Sequence, residues 1–148
     1  MSRSGYSDGL DNSWELICWR GAVASSIRGK RGQAFLREML AAMDALPEKK
    51  LIAHDLEKDG AVCAIGSVGK ARGINMADLD PEDREGVAAA FGIAPALAAE
   101  IVYMNDEWAS WNKDTAEDRF DRMRRWIESQ LIEWDTDQHD ASQVGSMP

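Results

Sequence analysis

Three cationic residues and two glycines form the stretch RGKRG, residues 28–32. A nucleotide P-loop needs a glycine, four further residues and then Gly-Lys-Ser/Thr, but here Arg31 stands where the hydroxyl residue would be. A helix is predicted to follow at once, and the backbone N–H groups of its first turn would attract an anion. The stretch therefore predicts either a site for phosphate or nucleic acid or a solvated turn between two helices. The candidate anion-binding residues are Arg28, Lys30, Arg31, Lys49 and Lys50.

A second candidate site combines acidic and aromatic residues. Asp106 and Glu107 stand at the end of a predicted helix and are followed by Trp108 and Trp111 in a polar stretch. Acidic residues around aromatic anchors are typical of surfaces that hold a protein partner. The same residues also fit a helix C-terminal cap and turn, so both interpretations stay open. The candidate partner-binding residues are Trp108, Trp111, Asp106 and Glu107.

Histidine and cysteine are scarce, which limits catalytic and metal chemistry. The pair His54-Asp55 would need further ligands to hold a metal, and the second histidine, His139, lies in a polar tail. Cys63 stands between apolar residues, which disfavours a reactive thiolate. We therefore predict no catalytic residue, no metal site and no cofactor. We also predict a reduced protein in which Cys18 and Cys63 are both buried.

Residues 87–102, VAAAFGIAPALAAEIV, are spaced like a helix-turn-helix. A DNA-reading helix presents Arg, Lys, Asn or Gln to base edges and phosphates, whereas this second helix offers Ala, Glu and Tyr. The pattern favours a corner of the scaffold over a DNA-reading element.

Charge is divided unevenly along the 148 residues, whose formal net charge is −9. Residues 15–75 carry ten Lys/Arg and seven Asp/Glu, whereas residues 76–148 carry six and seventeen. This division predicts a basic patch on an acidic body, and it disfavours non-specific nucleic-acid binding because the acidic half repels phosphate. The chain has no segment typical of a signal peptide or a membrane span, so we expect a cytoplasmic protein that does not bind membranes.

Apolar stripes at helical spacing predict a mostly α fold, a compact bundle of five to six short helices. The clearest stripe covers residues 35–46 and ends at Pro47. Asp80 and Pro81 predict the start of another helix, and Thr115 that of the last one. We predict a single helical domain at 13–134, a flexible N-terminal arm at 1–12 and a disordered acidic tail at 135–148.

Residues 47–72 are ambiguous. Residues 47–60 fit a one-sided helix that starts at Pro47 and stops at Gly60, and a helix is also favoured for residues 61–72. The alternative is a small β-hairpin within 51–70 that turns at EKDG, residues 57–60.

Three stretches carry a resemblance to a known family: WRGAVASSIRGKRGQAFLREMLAAMDALPEKKLIAHDLE, VCAIGSVGKARGI and AFGIAPALAAEIVYMNDE. Over about residues 14–133 the chain resembles a family of small proteins, without an assigned activity, encoded by tailed bacteriophages and prophages. The segment GAVCAIG, residues 60–66, together with Asn105-Asp106, is also similar to small bacterial proteins that have a Cys-Ala-x-Gly helix and a later Asn-Asp.

The resemblance implies expression in the cytoplasm of an infected bacterium, and it implies no catalytic residue. We therefore expect a non-enzymatic interaction protein that binds and modulates a host or phage protein, for example as an inhibitor of host defence. The alternative is a nucleic-acid or phosphate-binding module that uses the RGKRG stretch. The oligomeric state stays open.

Overall fold

A computed structural model describes residues 13–107 and 114–132, which form six α-helices and one short β-hairpin. The elements are, in chain order, α1 (Ser13–Arg28), α2 (Lys30–Asp44), β1 (Glu57–Lys58), β2 (Ala61–Val62), α3 (Ala64–Arg72), α4 (Arg84–Phe91), α5 (Pro95–Asp106) and α6 (Ala116–Gln130), with a 3₁₀ turn at Met76–Asp78. The predicted mostly α bundle of five to six helices is confirmed. The predicted arm at 1–12 and the predicted tail at 135–148 lie outside the described residues.

The clearest apolar stripe of the sequence forms the buried face of helix α2. Phe35, Leu36, Met39 and Met43 recur about one turn apart and are all buried. Each fully buried side chain of this kind contributes about 1.5–3 kcal/mol to the free energy of unfolding. The helix ends before Pro47, as the sequence predicts.

Helix α5 lies at the centre of the bundle and packs against α1, α3, α4 and α6. It is buried on nearly all sides, so it cannot enter a DNA groove, and the scaffold interpretation of residues 87–102 fits this placement. Pro95 occupies its first turn, and Gly92, with φ of +73°, ends α4 just before it. Among the described helices, none is long and apolar enough to cross a membrane alone; α4 and α5 pass this test only as a pair, bent by 106°.

The helix predicted over residues 47–60 is wrong. In the structure the backbone of this segment bonds to distant residues: Leu51 N–H donates to the Ala116 carbonyl at 3.1 Å, and Ile52 N–H to the Val62 carbonyl at 2.9 Å. Strands β1 and β2 then pair antiparallel around Asp59 and Gly60, whose φ values of +54° and +85° are typical of a type I′ turn. The alternative hairpin at EKDG is therefore confirmed.

Helix α3 begins directly after this hairpin, so the helix predicted over 61–72 is confirmed from Ala64 onward. The buried Cys63 caps it, because its Sγ accepts a hydrogen bond from the Gly66 N–H at 3.3 Å. Gly66 packs against the Leu56 carbonyl so closely that a Cβ atom would overlap it. A glycine is therefore required where the hairpin segment crosses the first turn of α3.

The predicted start of α4 is wrong by three residues. Asp83, not Asp80, is the N-cap, and it accepts the Gly86 N–H at 3.1 Å. Asp80 instead accepts the Glu82 N–H in a turn that precedes the helix. The start of α6 is confirmed, because Thr115 Oγ1 accepts the Asp118 N–H at 3.0 Å.

Candidate functional site

The junction between α1 and α2 is shorter than the sequence predicts. Only Gly29 separates the two helices, and Lys30 and Arg31 lie in the first turn of α2. No side chain caps this helix, and no acidic residue lies in its first turn. The backbone N–H groups and the positive dipole at the start of α2 are suited to attract an anion.

A recess of about 210 Å³ opens beside this helix start. Ser25, Ser26, Lys30 and Arg31 line one side, and Leu97 of α5 contributes to the other. The recess thus brings two hydroxyl groups and two cationic side chains to an uncapped helix end. Arg28, the third cation of the stretch, is exposed in the last turn of α1.

Gln33, two residues after Arg31, has a structural role. Its side chain is fully buried and donates to the Ile27 carbonyl at 2.8 Å and to the Gln130 carbonyl at 3.0 Å. Its Oε1 accepts the Ile132 N–H at 2.9 Å. The junction therefore joins the ends of α1, α2 and α6 as well as presenting cations.

The structure separates Lys49 and Lys50 from the other candidate cations. They follow the far end of α2, about 20 Å from its start at 1.5 Å per residue. Lys49 Nζ donates to the Asp44 and Leu46 carbonyls at 2.6 and 2.7 Å, so it satisfies carbonyl groups at the end of α2. Lys50 lies 3.7 Å from the carboxylate of Glu117. The five predicted anion-binding residues therefore do not form one site.

The acidic and aromatic candidate site is only partly within the described structure. Trp108 and Trp111 lie outside the described residues. The assignment of Asp106 to a partner-contacting rim is wrong, because its side chain is only 2% exposed. Its carboxylate accepts the His54 N–H at 3.2 Å and the Asn105 side-chain amide at 2.8 Å. Glu107 is half-buried at the end of α5.

Asn105 is the buried residue on which this region converges. Its Oδ1 accepts the Ala64 N–H at 3.1 Å, and its Nδ2 donates to the Ile52 carbonyl at 2.9 Å and to Asp106. It thereby links α5 to the start of α3 and to the loop before the hairpin. The Asn-Asp pair and the Cys-Ala-x-Gly segment, quoted together from the sequence, meet at this point.

His54 and Cys63 lie in different environments. The His54 side chain is 78% exposed, with Nδ1 3.8 Å from Asp106, whereas Cys63 is buried as the cap of α3. The prediction that both cysteines are buried is wrong for Cys18, which is exposed on α1. Across residues 13–107 and 114–132, no group of three His, Cys, Asp or Glu side chains could hold a metal ion.

The sequence misses a paired arginine cluster at the start of α6. Arg119 and Arg122 both contact Asp114, at 2.9 and 2.6 Å. Arg122 also donates to the carbonyls of Met104 and Asn105 at the end of α5. Burial raises the pKa of Asp114, but the hydrogen bonds and charges of the two arginines outweigh it and hold that pKa below its ordinary 3.8.

A run of exposed acidic residues precedes α4. Five carboxylates fall within residues 78–85, between the 3₁₀ turn and the first turn of α4, and all five are exposed. We call them the acidic segment: Asp78, Asp80, Glu82, Asp83 and Glu85. Asp80 and Asp83 bond to backbone N–H groups and so hold the segment in one conformation.

Comparison with protein-family models, with curated proteins and with solved structures finds no match to this chain.

Proposed function

We propose that this chain is a phage-encoded, non-enzymatic interaction protein that binds and modulates a host or phage protein, such as a component of host defence. The observation that carries the proposal is the acidic segment, five exposed carboxylates within eight residues. The resemblance to phage proteins supplies the setting. Such a surface suits a basic partner, because complementary charge speeds encounter and suppresses wrong partners.

Some carboxylates of the acidic segment form hydrogen bonds within the fold, and others are exposed without such bonds. Asp80 and Asp83 cap backbone N–H groups, and Asp78 accepts a hydrogen bond from Asn75. The side chains of Glu82 and Glu85 make no hydrogen bond or ion pair with any other described residue. These two carboxylates are therefore the ones we expect a partner to contact.

The test is affinity capture from nuclease-treated bacterial lysate, with the captured protein identified and its Kd then measured using purified components. The double variant Glu82→Gln/Glu85→Gln removes two charges without touching a cap. The matched control is Glu57→Gln/Asp121→Asn, which removes two exposed charges elsewhere. We expect the first variant to raise Kd about tenfold and the control to leave it within about twofold. Equal binding by both variants, or capture that disappears with nuclease, would contradict the proposal.

A second candidate function is binding of a phosphate-bearing ligand or nucleic acid at the start of α2. The recess of about 210 Å³, lined by two hydroxyl groups and two cations, favours it. The probes are inorganic phosphate and a labelled single-stranded oligonucleotide, each titrated against Lys30→Glu/Arg31→Glu. The control is Lys58→Glu/Arg125→Glu, which has the same charge change at exposed positions outside the recess. Binding that falls steeply with salt and is lost only in the first variant would support this function.

A further inference from the structure

A groove of about 450 Å³ lies beyond the C-terminal end of α2, whereas the recess lies at its start. It is bounded by the end of α2, the β-hairpin, α3 and the start of α6, and its floor is apolar. Leu46, Pro47, Ile52 and Val62 form most of that floor. The volume falls within the range of small-molecule sites, which are about 300–1,000 Å³ and mainly apolar, with a few polar groups that orient the ligand.

The polar groups at the edge of this groove are two lysines and one acid. Lys70 lies in the last turn of α3 and is exposed, and its ammonium makes no hydrogen bond or ion pair with the residues that the structure describes. Lys50 lies 3.7 Å from Glu117 in an exposed pair, which is weak because water and salt screen it. Glu48 is the acid of the lining, and Glu117 lies beside Lys50, so Lys70 is the cation of this edge without an acidic partner among the described residues.

We infer that the groove binds a small amphipathic carboxylate, with the apolar body on the Leu46–Val62 floor and the carboxylate at Lys70. An inorganic anion would leave the apolar floor in contact with water, and an amphipathic cation would be repelled by the Lys70 ammonium. A carboxylate with an apolar tail matches both the floor and the edge. This inference is independent of the proposed interaction with a protein partner, because it concerns a different surface.

Octanoate is the probe, titrated into the full chain and followed by amide chemical shifts. We expect saturable shifts at Gly60, Ala61 and Val62, with a dissociation constant about tenfold lower for octanoate than for octanol, which has the same tail without the charge. The variant Lys70→Met should weaken octanoate binding toward the octanol value. Lys58→Met, which removes a lysine on β1 outside the groove lining, should leave it unchanged.

A second variant tests occupancy of the groove itself. Ala61 lines the groove and is exposed, so we expect Ala61→Trp to fill the space without changing the core. Circular dichroism of the variant checks that it folds. We expect this variant to lose octanoate binding. The inference is overturned if octanol binds as tightly as octanoate, if Lys58→Met weakens binding as much as Lys70→Met, or if the shifts fall at the α1–α2 junction instead.

Discussion

Replacing Asn105 with alanine should remove the link between α5, α3 and the loop before the hairpin. The Asn105 side chain is 1% exposed and makes three hydrogen bonds, to the Ala64 N–H, the Ile52 carbonyl and the Asp106 carboxylate. Alanine removes one hydrogen-bond partner from each of these groups, and the Asp106 carboxylate keeps the His54 N–H. The loss therefore includes the desolvation of the groups that remain.

The magnitude follows from the kind of each bond. The two bonds to neutral backbone groups contribute about 1 kcal/mol each, and the bond to the Asp106 carboxylate contributes about 2 kcal/mol because it is charge-assisted. Their loss should lower the free energy of unfolding by about 4 kcal/mol, a large share of the roughly 5–15 kcal/mol typical of a domain. With a urea m-value of about 2 kcal/mol per molar, the unfolding midpoint should fall by about 2 M.

Urea unfolding followed by circular dichroism measures this change, and Asn75→Ala is the matched control. Asn75 is exposed; its Oδ1 accepts the Ala77 N–H at 3.2 Å and its Nδ2 donates to Asp78 at 3.3 Å. Because water replaces both exposed bonds, their loss should cost at most about 1 kcal/mol. Hydrogen exchange gives a local readout, because the Ala64 amide should exchange faster in Asn105→Ala but not in Asn75→Ala. The reasoning is refuted if Asn105→Ala costs no more than the control.

Three further predictions concern the arginine cluster and the helix crossings. Arg122→Ala should lower the free energy of unfolding by about 2–4 kcal/mol, because it removes hydrogen bonds to Asp114 and to two carbonyl groups. The control Arg125→Ala should change the free energy of unfolding by at most about 0.5 kcal/mol. Similar urea midpoints for the two variants would contradict this prediction. Asp114→Asn should be less stable than the native chain at pH 7. Because the pKa of Asp114 is lowered in the folded state, its contribution to the free energy of unfolding is full above pH 3.8 and is lost as pH falls through the folded pKa. The urea midpoints of Asp114→Asn and of the native chain should therefore converge in acid. A difference between the midpoints that stays constant with pH would count against the pairing of Asp114 with the arginines. Gly66→Ala should lower the free energy of unfolding, measured by heat or urea, by about 1–3 kcal/mol because the added Cβ meets a backbone carbonyl. Gly21→Ala should raise the free energy of unfolding by up to about 1 kcal/mol, because a Cβ at Gly21 would have no atom within 4 Å. Equal effects of the two substitutions would refute the steric argument.

The helices could be predicted from the sequence because their periodicity is local. In α2, residues 35–43 carry an apolar stripe that needs no knowledge of the rest of the chain. The start of α6 follows in the same way from Thr115, whose side chain bonds to a backbone group three residues on. These are short-range interactions, so the sequence pattern contains the information that determines them.

Residues 47–56 could not be predicted because their hydrogen-bond partners are distant in sequence. The apolar residues of this segment match a helical spacing, but Leu51 bonds to Ala116 and Ile52 to Val62 and Asn105. A turn with positive φ at both Asp59 and Gly60 then fixes the hairpin. The pattern of apolar residues alone does not distinguish a helix from an irregular segment that is held by other elements.

The same reasoning explains which charged residues can carry function. The sequence does not distinguish charged residues that are exposed from those that stabilise the fold. Lys49 donates hydrogen bonds at the end of α2, Asp106 accepts the His54 N–H, and Asp114 forms ion pairs with two arginines. If such a charged side chain moved to contact a partner, the fold would lose the stabilising interaction that the side chain makes. Proposals of function therefore rest on charges that remain exposed at a defined surface. Glu82 and Glu85 meet that condition, and they can be neutralised without disturbing a cap, so loss of binding in that variant would reflect the surface and not the fold.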